Sequence, residues 1–145
     1  MWGLIFFNKN CILFFVKNKH VPTEGTHVIL ELKVKEGKEF RGDRLKDFFY
    51  DLLKESNATI IDFKHFVFPN EASSGVFLLG ESHLSWHYWI DEGYVSLDIY
   101  TCGNSFNHIK ALSILKENFI IDDIKILKRG INRRGVYKIN ISNEI

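Results

Sequence analysis

LGESHLSWHYWIDEGYVSLDIYTCGN, residues 79–104, is the stretch on which the fold turns. From Tyr94 to Cys102, Val95, Leu97 and Ile99 alternate with Ser96, Asp98, Tyr100 and Cys102. A period of two puts the apolar set on one face of a strand and the polar set on the other. Upstream, His83, Ser85, His87 and Trp89 share one parity in the same way. Asp91-Glu92-Gly93, between the two runs, carries turn chemistry. The stretch therefore reads as consecutive antiparallel strands, one face covered and the other rich in Trp, His and Tyr. That second face bears Cys102 and follows a Glu81-Ser82 pair, with a histidine five residues after the serine and the cysteine twenty after it.

Working outward, His27 to Glu36 sets Val28, Leu30, Leu32 and Val34 against Ile29, Glu31, Lys33 and Lys35, a half-buried strand. Asp43 to Ser56 carries Leu45, Phe48, Phe49, Leu52 and Leu53 at helical spacing, with Asp43 as N-cap and Asn57 at the stop. The β-branched and aromatic runs 58–68, 75–90 and 94–102 follow as three strands, broken at Pro69-Asn70 and at Asp91-Glu92-Gly93. Ser105 is expected to cap a second helix with Ile109, Leu112 and Leu115 facing inward, and 120–127 and 136–141 close the sheet. The order β-α-β-β-β-α-β-β predicts an α+β two-layer sandwich, with helices on one face of a mostly antiparallel sheet.

Bulk properties narrow the function. The chain has 145 residues, 46% of them apolar, enough for one domain with a real core. Nineteen basic and eighteen acidic side chains leave a net charge of +1, with no long run of either sign, so neither a nucleic-acid stripe nor a polybasic membrane patch is expected. The expected partner is a small molecule or another protein chain. Cys11 and Cys102 alone make no disulfide framework, which fits a reducing, cytoplasmic setting. Residues 1–24 hold two short apolar runs, Trp2 to Phe7 and Cys11 to Val16, split by Asn8-Lys9-Asn10. Neither run spans a bilayer, and the segment reads as an added hairpin or as an extension outside the domain 25–145.

The polar-aromatic sheet face is either an active site or a sheet-to-sheet dimer contact. Metal is not expected, because Cys11 and Cys102 lie far apart and His83 and His87, at helical spacing, sit in a strand. A hydrolase triad of Ser82, His87 and Asp98 lacks the G-x-S-x-G turn that exposes such a nucleophile.

SGVFLLGESHLSWHYW and GYVSLDIYTCG, together with GTHVILEL near residue 25 and KRGI at 128–131, resemble the small prokaryotic S-adenosylmethionine decarboxylase proenzymes. The resemblance omits only the N-terminal extension and the last few residues. It implies that the Glu81–Ser82 bond cuts itself into a β chain of residues 1–81 and an α chain of residues 82–145. Ser82 would attack the Glu81 carbonyl, with the oxyanion supported from the region of Ser74. His87 would then assist loss of the Ser82 α-proton, leaving Ser82 as a pyruvoyl group. That cofactor would take the substrate amine as a Schiff base, and Cys102 would return a proton after CO2 leaves. Phe68 would stack on the adenine opposite His87, and Asp91 would hold the ribose hydroxyls. The product would be decarboxylated S-adenosylmethionine, the aminopropyl donor for spermidine. The resemblance also implies a homodimer paired sheet to sheet.

Two segments depart from the family pattern. Trp89-Ile90-Asp91 stands where Trp-Pro-Glu is usual, and Asn70-Glu71-Ala72-Ser73 where Pro-Gln-Gly-Val is usual. The alternative is therefore a pyruvoyl-dependent arginine or ornithine decarboxylase, with Glu71 or Asp91 on the distal cation. A further alternative is an unprocessed, non-catalytic partner subunit, against which the presence of Glu81, Ser82, His87 and Cys102 argues.

Overall fold

The computed structural model describes residues 24–130 and 140–142. Seven strands make one sheet: β1 (Glu24–Val34), β2 (Ile60–Val67), β3 (Ser73–Leu79), β4 (Ser82–Trp89), β5 (Tyr94–Cys102), β6 (Phe119–Gly130) and β7 (Asn140–Ser142). Helix α1 (Arg44–Glu55) follows β1, and α2 (His108–Asn118) follows β5. The spatial order is β2-β3-β4-β5-β1-β6-β7, and every neighbouring pair is antiparallel. The α+β two-layer sandwich read from the sequence is therefore the observed architecture. The order also puts β1 between β5 and β6, although β1 comes first in the chain.

Strand parity decides which face is covered. Val28, Leu30 and Leu32 of β1, Leu84, Trp86 and Tyr88 of β4, and Val95, Leu97 and Ile99 of β5 are all buried. Against them α1 lays Leu45, Phe49, Leu52 and Leu53, and α2 lays Ala111, Leu112 and Leu115. Aromatic rings fill the layer between, with Phe49 5.3 Å from Trp86 and Phe40 stacked at 4.9 Å on Phe119. Gly75 gives Trp86 room, since a Cβ there would run into the indole ring and lie 2.8 Å from the His65 Cβ.

Three expectations need correction. The run 75–90 is two strands, β3 and β4, reversed at Gly80-Glu81, so the sheet gains a strand. Gly80 makes the reversal possible by lying against Thr59, whose carbonyl accepts its N–H at 2.8 Å. Asn107, not Ser105, caps α2, its side chain accepting the Lys110 N–H at 3.0 Å. Ile109 faces outward, 74% exposed, while Ala111 takes the inward place. Asp43 does hold the N-cap position of α1, but its carboxylate accepts from His65 at 2.7 Å instead of from the helix. The hairpin considered for residues 1–24 lies outside the described residues apart from Glu24, where β1 begins; of the closing strand 136–141, only 140–141 are described. Among the described residues no helix is long and apolar enough to cross a membrane.

Candidate active site

Strand β4 carries candidate reactive groups at both of its ends. At the first end the chain turns from Gly80 through Glu81 into Ser82, whose φ of 147° is a conformation non-glycine residues avoid. The Ser82 hydroxyl lies 3.0 Å from His83 Nδ1. The Glu81 carbonyl oxygen accepts the backbone N–H of Cys102 at 2.8 Å, so the donor on that carbonyl comes from β5. The Glu81 side chain is buried, and its carboxylate accepts from the Thr59 N–H and Oγ1, each at 3.0 Å, and from Ser105 Oγ at 3.3 Å. Burial alone would raise its pKa, but these hydrogen bonds outweigh burial and hold it below the usual glutamate value. Ser105, expected as a cap, is thus spent on Glu81. Cys102 is a free, half-buried thiol.

Beside this end, the uncovered face holds a cluster of titrating side chains. His83 meets the Tyr100 ring edge-on at 6.0 Å, Arg129 sits over that ring at 4.6 Å, and His27 Nε2 bonds Asp98 at 3.1 Å. Burial pushes the His83 pKa down, the positive fields of His27 and Arg129 add to this, and Asp98 opposes them. The result is a ring that is neutral at neutral pH.

The second group gathers at the far end of β4. His87 Nδ1 and Ser74 Oγ, paired across β3 and β4, are hydrogen-bonded. Phe68 approaches the His87 ring edge-on at 5.9 Å and Trp89 at 4.0 Å. A cleft of about 310 Å³ opens here, lined by Phe68, Asn70, His87, Trp89, Asp91 and Glu92 among others. Asp91 reaches it from the short 3-10 turn Ile90–Glu92, which Gly93 closes with a φ of 59°. The turn between β2 and β3 aims Phe68, its N–H donating to the Ala72 carbonyl at 2.8 Å. Glu71, at the φ of 67° that tightens this turn, points to Arg41 at 3.2 Å and is not among the residues lining the cleft.

Phe68, Ser74, His87 and Asp91 are thus brought together, and so are Glu81, Ser82 and Cys102. The two sets are not brought to each other: Ser82 and His87 stand five residues apart on one extended strand, roughly 17 Å. Sequence reasoning passed over Thr59, which precedes β2 and has no local signal, and gave His83 no task.

The fold and candidate site define a class: an α+β sandwich whose candidate reactive groups gather along one strand of an antiparallel sheet, with a strained serine and a free thiol at one end. The chain belongs to the S-adenosylmethionine decarboxylase family, whose model matches residues 26–130. It is 32% identical to the S-adenosylmethionine decarboxylase proenzyme of Thermococcus kodakarensis over 114 residues, covering 77% of this chain and 80% of that one. The proenzyme of Thermodesulfovibrio yellowstonii is 34% identical over 110 residues, covering 74% and 82%. Among solved structures, the adenosylmethionine decarboxylase of Aquifex aeolicus superposes with a TM-score of 0.62 at 27% identity, covering 85% of this chain and 99% of that one.

Proposed function

We propose that the chain is a proenzyme that cuts itself between Glu81 and Ser82 and then decarboxylates S-adenosylmethionine. The observation that carries this is the Glu81–Ser82 peptide itself: its carbonyl takes the Cys102 N–H at 2.8 Å while the Ser82 hydroxyl meets an imidazole at 3.0 Å on a strained backbone. A polarised carbonyl beside a hydroxyl that has a base is what an N-to-O acyl shift requires. The products are a β chain of residues 1–81 and an α chain of residues 82–145. A pyruvoyl group made from Ser82 supplies an electron-accepting carbonyl for loss of CO2. Cys102, a free thiol two strand residues from Tyr100 on the same face, is the proton donor to the product carbon. It works reduced, as in a cytoplasmic setting.

The cleft at the other end of β4 is the nucleoside subsite. Phe68 offers its ring to the adenine, His87 packs beside it, and Asp91 accepts the ribose hydroxyls. Arginine or ornithine would need an acidic contact for the distal cation, and the ion pair of Glu71 with Arg41 argues against Glu71 in that role. A two-fold pairing of open sheet faces, with strands running oppositely, sets Ser82 of one protomer against His87 of its partner, so the gap along β4 supports a homodimer with two composite sites.

Intact mass of the purified full chain tests the reading, with Ser82→Ala alongside. Two chains of 81 and 64 residues, the shorter without a free N-terminal amine and both absent from the variant, are expected. CO2 release from S-adenosylmethionine, and not from arginine or ornithine, is expected of the cut protein. A wild-type chain that stays whole overturns self-processing and favours the non-catalytic subunit.

A further inference from the structure

The resemblance gives the Ser82 hydroxyl no partner of its own, yet it has one. Ser82 Oγ lies 3.0 Å from Nδ1 of the next residue, His83. His87 of the same chain is at the other end of β4, its Nδ1 already bonded to Ser74. We propose that His83 is the general base of the first step of self-cleavage, taking the Ser82 hydroxyl proton on Nδ1. This rests on the self-processing reading given above. The step balances without a co-reactant. The Ser82 Oγ–Glu81 carbon bond forms as the proton moves to His83. The bond from that carbon to the Ser82 nitrogen then breaks, and the nitrogen keeps the electron pair and receives the proton from His83. The product is an ester with a free amine on Ser82.

Geometry suits the task beyond the contact itself. For the transfer the Ser82 hydroxyl donates to Nδ1, which the 3.0 Å separation allows when the neutral ring carries its own proton on Nε2. The cluster around it keeps it so: from β5 come Asp98, Tyr100 and Cys102, from β1 His27, and from β6 Arg129. Asp98, the group whose charge would favour an imidazolium, is engaged by His27 at 3.1 Å. The carbonyl to be attacked accepts the Cys102 N–H at 2.8 Å. Two histidines then divide the labour, His83 on the hydroxyl proton and His87 on the α-proton that is lost later.

The test uses the full chain made by cell-free synthesis, so that cleavage starts at a known time and intact mass follows it. His83→Gln is expected to slow cleavage at least about a hundred-fold, the span of a general base. Wild-type cleavage should hold through the ordinary histidine value of about 6.5 and slow only at lower pH, because burial holds the His83 pKa down and a proton then occupies Nδ1, and His83→Gln should lose that acid limb. Hydroxylamine, which cuts esters and spares amides, should not rescue His83→Gln but should cut His87→Ala, where the ester has formed and waits. In His83→Ala, added imidazole should restore cleavage, which a purely structural histidine would not allow. Wild-type rates in His83→Gln, an ester trapped by hydroxylamine in that variant, an unchanged acid limb, or His83→Ala indifferent to imidazole would each overturn the assignment. A wild-type chain that never cleaves overturns the parent reading instead.

Discussion

Glu81 shows what a single side chain contributes here. Its carboxylate takes three hydrogen bonds, two of them from Thr59, and is buried under the turn that leads into Ser82. Because its pKa is lower folded than unfolded, the unfolded chain binds more protons in the acid range, so this stabilisation is complete above the ordinary glutamate value and lost as pH falls through the lower folded one. Thr59→Val keeps the backbone donor and loses the hydroxyl, a bond to a charged acceptor worth about 1.5–3 kcal/mol. Urea titrations of Thr59→Val and wild type should therefore differ by that amount at neutral pH and draw together only as pH falls through the lowered folded value. Of this site the sequence offered Glu81, Ser82 and Cys102 as candidates, whose types and spacing are local. It hid Thr59 and mistook Ser105 for a helix cap, because both act through contacts more than twenty residues away along the chain.

The β3–β4 hairpin is the element on which both clusters of candidate residues depend. Gly75 lets Trp86 pack flat against β3, and its neighbour Ser74 bonds His87 across the pair. Gly75→Ala should overpack this contact and destabilise the fold by about 1–3 kcal/mol, seen as a lower urea midpoint. Where the hairpin turns was not legible, since strand-forming residues flank Gly80-Glu81 on both sides and only a long-range approach to Thr59 marks the reversal. Which face is open was legible, because parity survives a misplaced strand end: Leu84, Trp86 and Tyr88 are buried, as are Val95, Leu97 and Ile99. Helix α2 was misread for a geometric reason. Residues spaced by three, such as Ile109, Leu112 and Leu115, drift around a helix of 3.6 residues per turn, and the covered stripe is Ala111, Leu112 and Leu115.

Across the whole molecule, the uncovered sheet face leaves Phe66, Leu78 and Trp89 at 60%, 51% and 43% exposure. If two copies complete each other's sites, Ser82→Ala and His87→Ala, each inactive alone, should complement when co-expressed, because one of the two composite sites then pairs an intact Ser82 with an intact His87. Intact mass should find the His87→Ala chain cut and the Ser82→Ala chain whole; no cutting in the mixture would refute a shared site. The strand order adds a consequence of its own. A cut after Glu81 leaves β1, β2 and β3 on one product and β4 to β7 on the other, yet β1 stays clasped between β5 and β6. The cut therefore changes the molecularity of folding and not the shape of the fold. The precursor regains its structure as one chain, at a rate indifferent to dilution. A protein cut there, once melted, would have to find its other half, and its recovery would depend on concentration.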